Sequence, residues 1–154
     1  MKILIADDSL FLKERLVAMI KNSELDTEIH QAINTLEAKE KIRNERFDVV
    51  ISDIKMPGGG GIKLLEFIKK EYQETVTIII TNYPYPQYKT KAQELGAEYF
   101  LSKFDELEKL NDILTEIQYQ KQSRKSDSGE TEKKVKKINN ARKTNSEITN
   151  LAKK

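Results

Sequence analysis

Cysteine and tryptophan are absent from the 154 residues, and histidine occurs once. Without cysteine there is no disulfide, thiol nucleophile, zinc knuckle or iron–sulfur ligation. No apolar stretch approaches the roughly 20 residues that cross a bilayer as a helix. The opening Met1-Lys2-Ile3-Leu4-Ile5-Ala6 meets Asp7 too early to be the apolar core of a signal peptide. The expectation is a soluble, cytoplasmic protein. An excess of either charge also looks absent, since the net charge is only +2. That balance hides a division. Residues 121–154 hold 11 basic and 4 acidic side chains, a net +7, which leaves residues 1–120 with 16 basic and 21 acidic, a net −5. The chain therefore reads as one acidic domain over residues 1–120 followed by a basic tail over 121–154.

Within residues 1–120, short apolar runs alternate with amphipathic stretches. Strands are expected at Lys2–Ala6, Thr27–Ile33, Phe47–Ser52, Val76–Ile80 and Tyr99–Ser102. The first predicted helix follows Ser9 as N-cap and runs through Leu12, Leu16, Met19 and Ile20. A second covers about Asn34 to Asn44 with Leu36, Ala38 and Ile42 inward, and a third covers Lys63–Glu71. A short fourth helix spans about Tyr88–Leu95 and stops at Gly96. The last opens at Asp105 with Glu108 in capping-box spacing. Five β–α units predict an α/β fold: a doubly wound five-stranded parallel sheet with helices on both faces. Such sheets bind ligands at the carboxyl ends of their strands, beside the switch in strand order.

That edge collects the chemistry. Asp7 and Asp8 follow the first strand, Asp53 the third, Thr81 ends the fourth and Lys103 follows the fifth. Three carboxylates held close raise one another's pKa values unless a cation sits among them. A hard divalent ion resolves the conflict, and Mg²⁺ is the usual choice where few carboxylates share a site with phosphate. A hydroxyl and an ammonium opposite would complete the neutralisation of a phosphoryl group.

The words Ile3-Leu4-Ile5-Ala6-Asp7-Asp8-Ser9, Phe47-Asp48-Val49-Val50-Ile51-Ser52-Asp53-Ile54-Lys55-Met56-Pro57-Gly58, Ile78-Ile79-Ile80-Thr81 and Gly96-Ala97-Glu98-Tyr99-Phe100-Leu101-Ser102-Lys103 resemble the receiver domain of two-component response regulators. The resemblance covers about residues 1–120. It implies the flavodoxin-like (βα)5 receiver fold and a phosphoacceptor role for Asp53, supplied by a histidine kinase or phosphotransfer protein. It further implies Mg²⁺ on Asp7, Asp8, Asp53 and the backbone carbonyl of Lys55, with Asp7 acting through water. Lys103 would pair with Asp53 and then with the phosphoryl group, while Thr81 and Phe100 would move together as the switch. The chain departs from the family pattern in placing Phe104 after Lys103, where Pro is usual and would make a cis peptide cheap. Asn82 follows Thr81 where a small residue is commoner. Lys55 is a candidate second cation for the phosphate. Asn82 and Lys55 are expected to tune phosphoryl lifetime.

Other features carry less. Gly58–Gly61 lacks the strand–G-x-G-x-x-G–helix order of a phosphate cradle and reads as loop spacing. Tyr83-Pro84-Tyr85-Pro86 is either an aromatic docking surface or a stiffened loop. His30 lies on a predicted strand away from the acidic residues, so the protein is not expected to be the phosphohistidine donor. After Gln120 the apolar pattern dissolves, and disorder is expected for about residues 122–154, with a helical extension over Lys133–Lys143 as the alternative. The tail admits nucleic-acid or anionic-membrane contact besides simple solvation, although no aromatic residue after Tyr119 offers a stacking platform.

The expected function is a stand-alone switch, not an enzyme, signalling through phosphorylation-dependent protein contacts. Three alternatives compete with it. A phosphatase with an Asp nucleophile would need a second acid where Lys55 stands. The others are a phosphorylation-independent adaptor and a regulator that binds nucleic acid through the tail.

Overall fold

The computed structural model describes the backbone of residues 1–151 and, in the carboxyl-terminal segment, side chains as far as Gly129 together with Lys136. The chain divides into two compact units, Met1–Ile113 and Leu114–Lys154. In the first, β1 (Lys2–Ala6), α1 (Leu10–Lys21), β2 (Glu28–Ala32), α2 (Thr35–Asn44), β3 (Val49–Ser52), α3 (Gly60–Glu71), β4 (Val76–Thr81), α4 (Pro86–Glu94) and β5 (Tyr99–Ser102) follow in turn. A 3₁₀ turn at Leu107–Lys109 then leads into α5 (Leu110–Leu151). No helix among the described residues is long and apolar enough to cross a membrane.

The five strands form one parallel sheet in the order β2-β1-β3-β4-β5. Apolar character on both faces of the central strands dictates this: Ile3, Leu4, Ile5 and Ala6 are all fully buried, as are Ile78, Ile79 and Ile80. A strand buried on two sides needs helices on two sides, which parallel crossovers supply. Leu4, Ala6 and Val50 pack with Ala38 and Ile42 of α2 and Leu64 and Ile68 of α3. Ile79 packs with Ile54, Leu65 and Ala92, and the half-buried Phe100 leans on that cluster.

Local signals set most helix ends. Ser9 caps α1, its hydroxyl accepting from the Leu12 N–H at 3.3 Å. Asn34 caps α2 by accepting from Glu37 N–H at 2.8 Å. Gly96 lies just past α4 at φ +95°, a left-handed position that glycine adopts without Cβ strain.

Four expectations need correction. Leu36 is 69% exposed rather than inward, because Thr35, Ala38 and Ile42 already fill the buried stripe of α2. α3 begins at Gly60, three residues before the expected start. α4 begins at Pro86, since proline's fixed φ suits the first helical position. The last helix does not open at Asp105: residues 103–105 form a turn, and the Glu106 carboxylate accepts from the Ser102 N–H at 2.9 Å.

In the second unit the backbone is helical through Leu151, where composition alone points to disorder. The Lys, Arg, Glu and Gln of the segment cost little in a helix. Residues 152–154, part of the segment expected to be disordered, lie outside the described residues.

Candidate functional site

Register brings the acidic residues together. Ala6 pairs with Ser52 across β1 and β3, so the next residue on each strand is an aspartate, Asp7 and Asp53. β1 and β3 are the strands between which the order reverses, where a crevice opens at the carboxyl edge. The Asp53 N–H donates to the Ala6 carbonyl at 3.1 Å and the Asp7 N–H to the Ala32 carbonyl at 3.0 Å, which fixes both backbones. On the far side of β4, Thr81 pairs with Ser102, and Lys103 reaches back across the strand end.

Its ammonium donates to Asp7 Oδ2 at 2.7 Å and to Asp53 Oδ2 at 2.8 Å. All three side chains are buried, Asp53 to 6% exposure. Asp7 Oδ1 accepts from the Ser9 N–H at 2.8 Å. The remaining oxygen, Asp53 Oδ1, is buried and has no hydrogen-bond partner. Asp8 is exposed at the rim, yet one oxygen each of Asp7, Asp8 and Asp53 lies within 4.8 Å of the others. Burial raises the Asp7 pKa above the ordinary carboxylate value, against the opposing pull of Lys103 and the Ser9 N–H. Burial alone would lower Lys103, but its hydrogen bonds to Asp53 and Asp7 prevail and hold it above its ordinary value.

Of the residues expected at the site, Asp7, Asp53 and Lys103 are in direct contact and Asp8 stands beside them. Thr81 is fully buried at the end of β4, and its hydroxyl accepts from the Tyr83 N–H at 3.0 Å. Phe100 is half-buried on β5. Lys55 does not point its ammonium at the carboxylates: it sits over the Tyr83 ring, 3.9 Å from the centroid. Asn82 is exposed. No peptide bond among the described residues is cis, so Lys103–Phe104 is trans. His30 sits at the other edge of the sheet, bonded to Glu28 at 2.7 Å and packed edge-on to Phe47.

Sequence reasoning missed how the Asp53 loop is held. Gly58–Gly61 is more than spacing: Gly58, Gly59 and Gly60 all take positive φ, and Gly61 lies against the end of the strand that leads into Asp53. A Cβ on Gly61 would stand 2.0 Å from the Asp53 carbonyl oxygen, and one on Gly60 2.3 Å from that of Ile54. The Gly61 N–H donates to the Ile54 carbonyl at 2.8 Å, and the Ser52 hydroxyl to the Asp53 carbonyl at 3.0 Å. Thr35 fastens the loop from outside, through its N–H to Pro57 at 3.0 Å and its hydroxyl to Gly60 at 3.2 Å. The run of four glycines was the available signal, because consecutive glycines mark close backbone approach as well as freedom.

Comparison with known proteins gives the same outline. The family model described as the response regulator receiver domain matches residues 3–115. The response regulator protein PilR of Pseudomonas aeruginosa is 32% identical over 113 residues, covering 73% of this chain and 25% of PilR. The uncharacterized transcriptional regulatory protein YvfU of Bacillus subtilis is 33% identical, over 73% of this chain and 56% of its own length. The chain thus spans between about a quarter and just over half of these relatives. Among solved structures, a CheY-like receiver domain protein from Methanospirillum hungatei superposes with a TM-score of 0.69 at 26% identity, covering 79% of this chain and 97% of that one. A LuxR-family DNA-binding response regulator from Staphylococcus aureus gives 0.69 at 31% identity, over 75% and 97% respectively.

Proposed function

Because the chain belongs to the response regulator receiver domain family, we propose that Asp53 is its phosphoacceptor. The donor would be a phosphohistidine on a histidine kinase or phosphotransfer protein, and the phosphorylated form would signal through protein contacts. The observation that carries this reading is the state of the Asp53 carboxylate. Lys103 holds Oδ2, while Oδ1 is buried without a partner. A buried oxygen left unsatisfied is costly unless something else is meant to meet it.

In the transfer, Asp53 Oδ1 attacks phosphorus, an O–P bond forms and the N–P bond to the imidazole breaks, its electron pair staying on the ring nitrogen. Oδ2 becomes the carbonyl oxygen of the acyl phosphate and no longer carries carboxylate charge. Lys103 is then released to pair with the phosphoryl oxygens. The Thr81 hydroxyl, at the carboxyl end of β4, donates to the same group, and Phe100 follows into the space that Thr81 leaves. A local gain of negative charge thereby biases two packings of β4 and β5.

The cluster of Asp7, Asp8 and Asp53 suits a hard, oxygen-bound cation. With the backbone carbonyl of Lys55 these residues would hold Mg²⁺, which when bound offsets the charge of the incoming phosphoryl oxygens. Asp7 keeps Lys103 in place from the other side. The event is self-modification at one acceptor. Residues 1–120 would form the receiver and 121–154 a separate basic appendage.

The test is incubation with Mg²⁺ and acetyl phosphate, followed by mass mapping of the hydrolytically labile adduct. One phosphoryl group on Asp53, absent from Asp53→Asn, is the expected result. An adduct that maps elsewhere or persists in Asp53→Asn overturns the proposal.

A further inference from the structure

Away from the acidic pocket, the sole histidine of the chain stands among carboxylates. Glu28 and His30 are two residues apart on β2, so their side chains leave the same face of the strand. α2 ends at Asn44, and Glu45, the residue that follows, brings its carboxylate to the same place. His30 Nε2 lies 2.7 Å from Glu28 Oε1 and 3.7 Å from Glu45 Oε2. One atom from each of the three side chains falls within 4.8 Å of the others. Phe47, itself buried, meets the imidazole edge-on with centroids 5.3 Å apart, which limits how the ring can turn. The Lys2 ammonium lies 3.0 Å from Glu45 Oε2 and 3.7 Å from Glu28 Oε1. Those are the same two oxygens that face His30, so the cluster already gathers positive charge at one point.

We propose that Glu28, His30 and Glu45 form a binding site for Zn²⁺, separate from the Asp7–Asp8–Asp53 cluster. Bonds of about 2.0–2.2 Å at tetrahedral angles put neighbouring ligand atoms about 3.3–3.5 Å apart. The two distances from His30 Nε2 bracket that range, so small side-chain adjustments bring the three donors into place. One imidazole nitrogen with two carboxylate oxygens is a zinc donor set, and water completes the fourth position. Mg²⁺ prefers oxygen ligands alone, which separates this site from the acidic pocket by chemistry as well as by place. The neutral ring ligates through Nε2, so its hydrogen bond to Glu28 gives way and its proton sits on Nδ1. Lys2 is a built-in competitor: its ammonium occupies the same oxygens, and its half-buried side chain must swing outward before the metal enters. A bound ion would clamp β2, an edge strand, to the connection between α2 and β3. The inference holds whether or not Asp53 is phosphorylated.

The experiment follows the imidazole protons of His30 by NMR as Zn²⁺ is added to the untagged full chain. Excess Mg²⁺ is present throughout to compete for the acidic pocket. Because the chain has one histidine, its signals need no assignment. They should shift and saturate at one equivalent of Zn²⁺. At a hundredfold excess over Kd, Zn²⁺ should raise Tm by at least about 5 °C, and added Mg²⁺ should not substitute for it. Glu45→Gln, at an exposed position, should weaken Zn²⁺ binding at least about tenfold, and His30→Gln should abolish the rise in Tm. Lys2→Met removes the competing ammonium and should tighten binding at least about threefold. His30 signals that stay in place at excess Zn²⁺ overturn the proposal, as does an affinity unchanged in Glu45→Gln or unimproved in Lys2→Met. A rise in Tm kept by His30→Gln but lost in Asp53→Asn would assign the ion to the acidic pocket and overturn it too.

Discussion

Gly61→Ala tests whether the close approach of α3 to the Asp53 strand is required. The added Cβ would meet the Asp53 carbonyl oxygen at 2.0 Å, its carbon at 2.8 Å and the Ser52 hydroxyl at 3.0 Å. These neighbours are two backbone atoms and a buried side chain, so none swings aside cheaply. About 1 Å of backbone movement is needed before the closest contact even reaches 3.0 Å. Overpacking of this kind costs about 1–3 kcal/mol, and losing the Gly61 N–H bond to Ile54 adds about 1 kcal/mol. Alanine's helix propensity returns at most about 1 kcal/mol. The net loss is therefore about 1–3 kcal/mol, or roughly 4–12 °C in Tm for a domain of this size. Urea unfolding followed by tyrosine fluorescence reads the first unit, because five of the six tyrosines lie in it. Gly129→Ala is the control, with no atom within 4 Å of its Cβ. The same shift would displace Asp53, the proposed acceptor, and a misplacement near 1 Å can cost about a hundredfold in rate. Phosphorylation by acetyl phosphate should slow by at least about tenfold. A midpoint and a rate both unchanged from the parent would refute the reasoning.

The remaining predictions are narrower. Asp7 has its pKa raised by burial, so between its ordinary value of 3.8 and the raised one the folded state binds more protons than the unfolded. Its contribution to stability therefore falls as pH rises through that window, and Asp7→Asn should gain on the parent from pH 4 upward in Mg²⁺-free buffer. A stability difference that stays flat to pH 7 in urea titrations would count against this. Ser9→Ala removes the cap of α1 and should cost about 0.5–1 kcal/mol, less than a short cap because the bond is 3.3 Å long. Loss of less than about 0.2 kcal/mol would show that the hydroxyl is not capping. Lys55→Ala uncovers the Tyr83 ring and, if that pair shields the acceptor from water, should speed loss of the phosphoryl group several-fold. An unchanged decay rate removes Lys55 from the control of lifetime.

Fold and site were legible to different depths. The central strands were readable because three or more consecutive apolar residues point to burial on two faces, as in Ile3–Ala6 and Ile78–Ile80. The site residues were readable because each stands immediately after or at the end of such a strand, so the sheet alone delivers them to one edge. Helix starts were less legible where tertiary contact decides them. α3 starts early because Gly60 and Gly61 lie against the carbonyls of Ile54 and Asp53, a contact with no local periodicity. Leu36 illustrates the converse: its helical phase suits burial, but the buried stripe was already complete without it. The resting position of the Lys55 ammonium was not legible for a similar reason. Tyr83 lies 28 residues away in the chain, and only the fold reveals that its ring is the nearer partner.

The glycines and the charges answer one physical problem. Burying Asp7, Asp53 and Lys103 removes three ions from water, and a single ammonium meets two carboxylates, which leaves the group with an unbalanced negative charge. Such a cluster is tolerated only if its geometry is fixed, since a relaxed site would let the carboxylates turn to solvent. Rigidity cannot come from the aspartates themselves, which hang from strand ends. It comes from the backbone beneath them: Asp53 N–H is tied to Ala6, its carbonyl is met by Ser52, and α3 presses on it through a residue without a side chain. The sheet thus supplies the charges and the glycine run supplies their confinement. The unpartnered Asp53 Oδ1 is the one place where this arrangement leaves a demand unmet. A phosphoryl group with its cation would satisfy that oxygen and release Lys103 from it. Under the proposed function, the arrangement that is costly in the resting protein would favour the phosphorylated one.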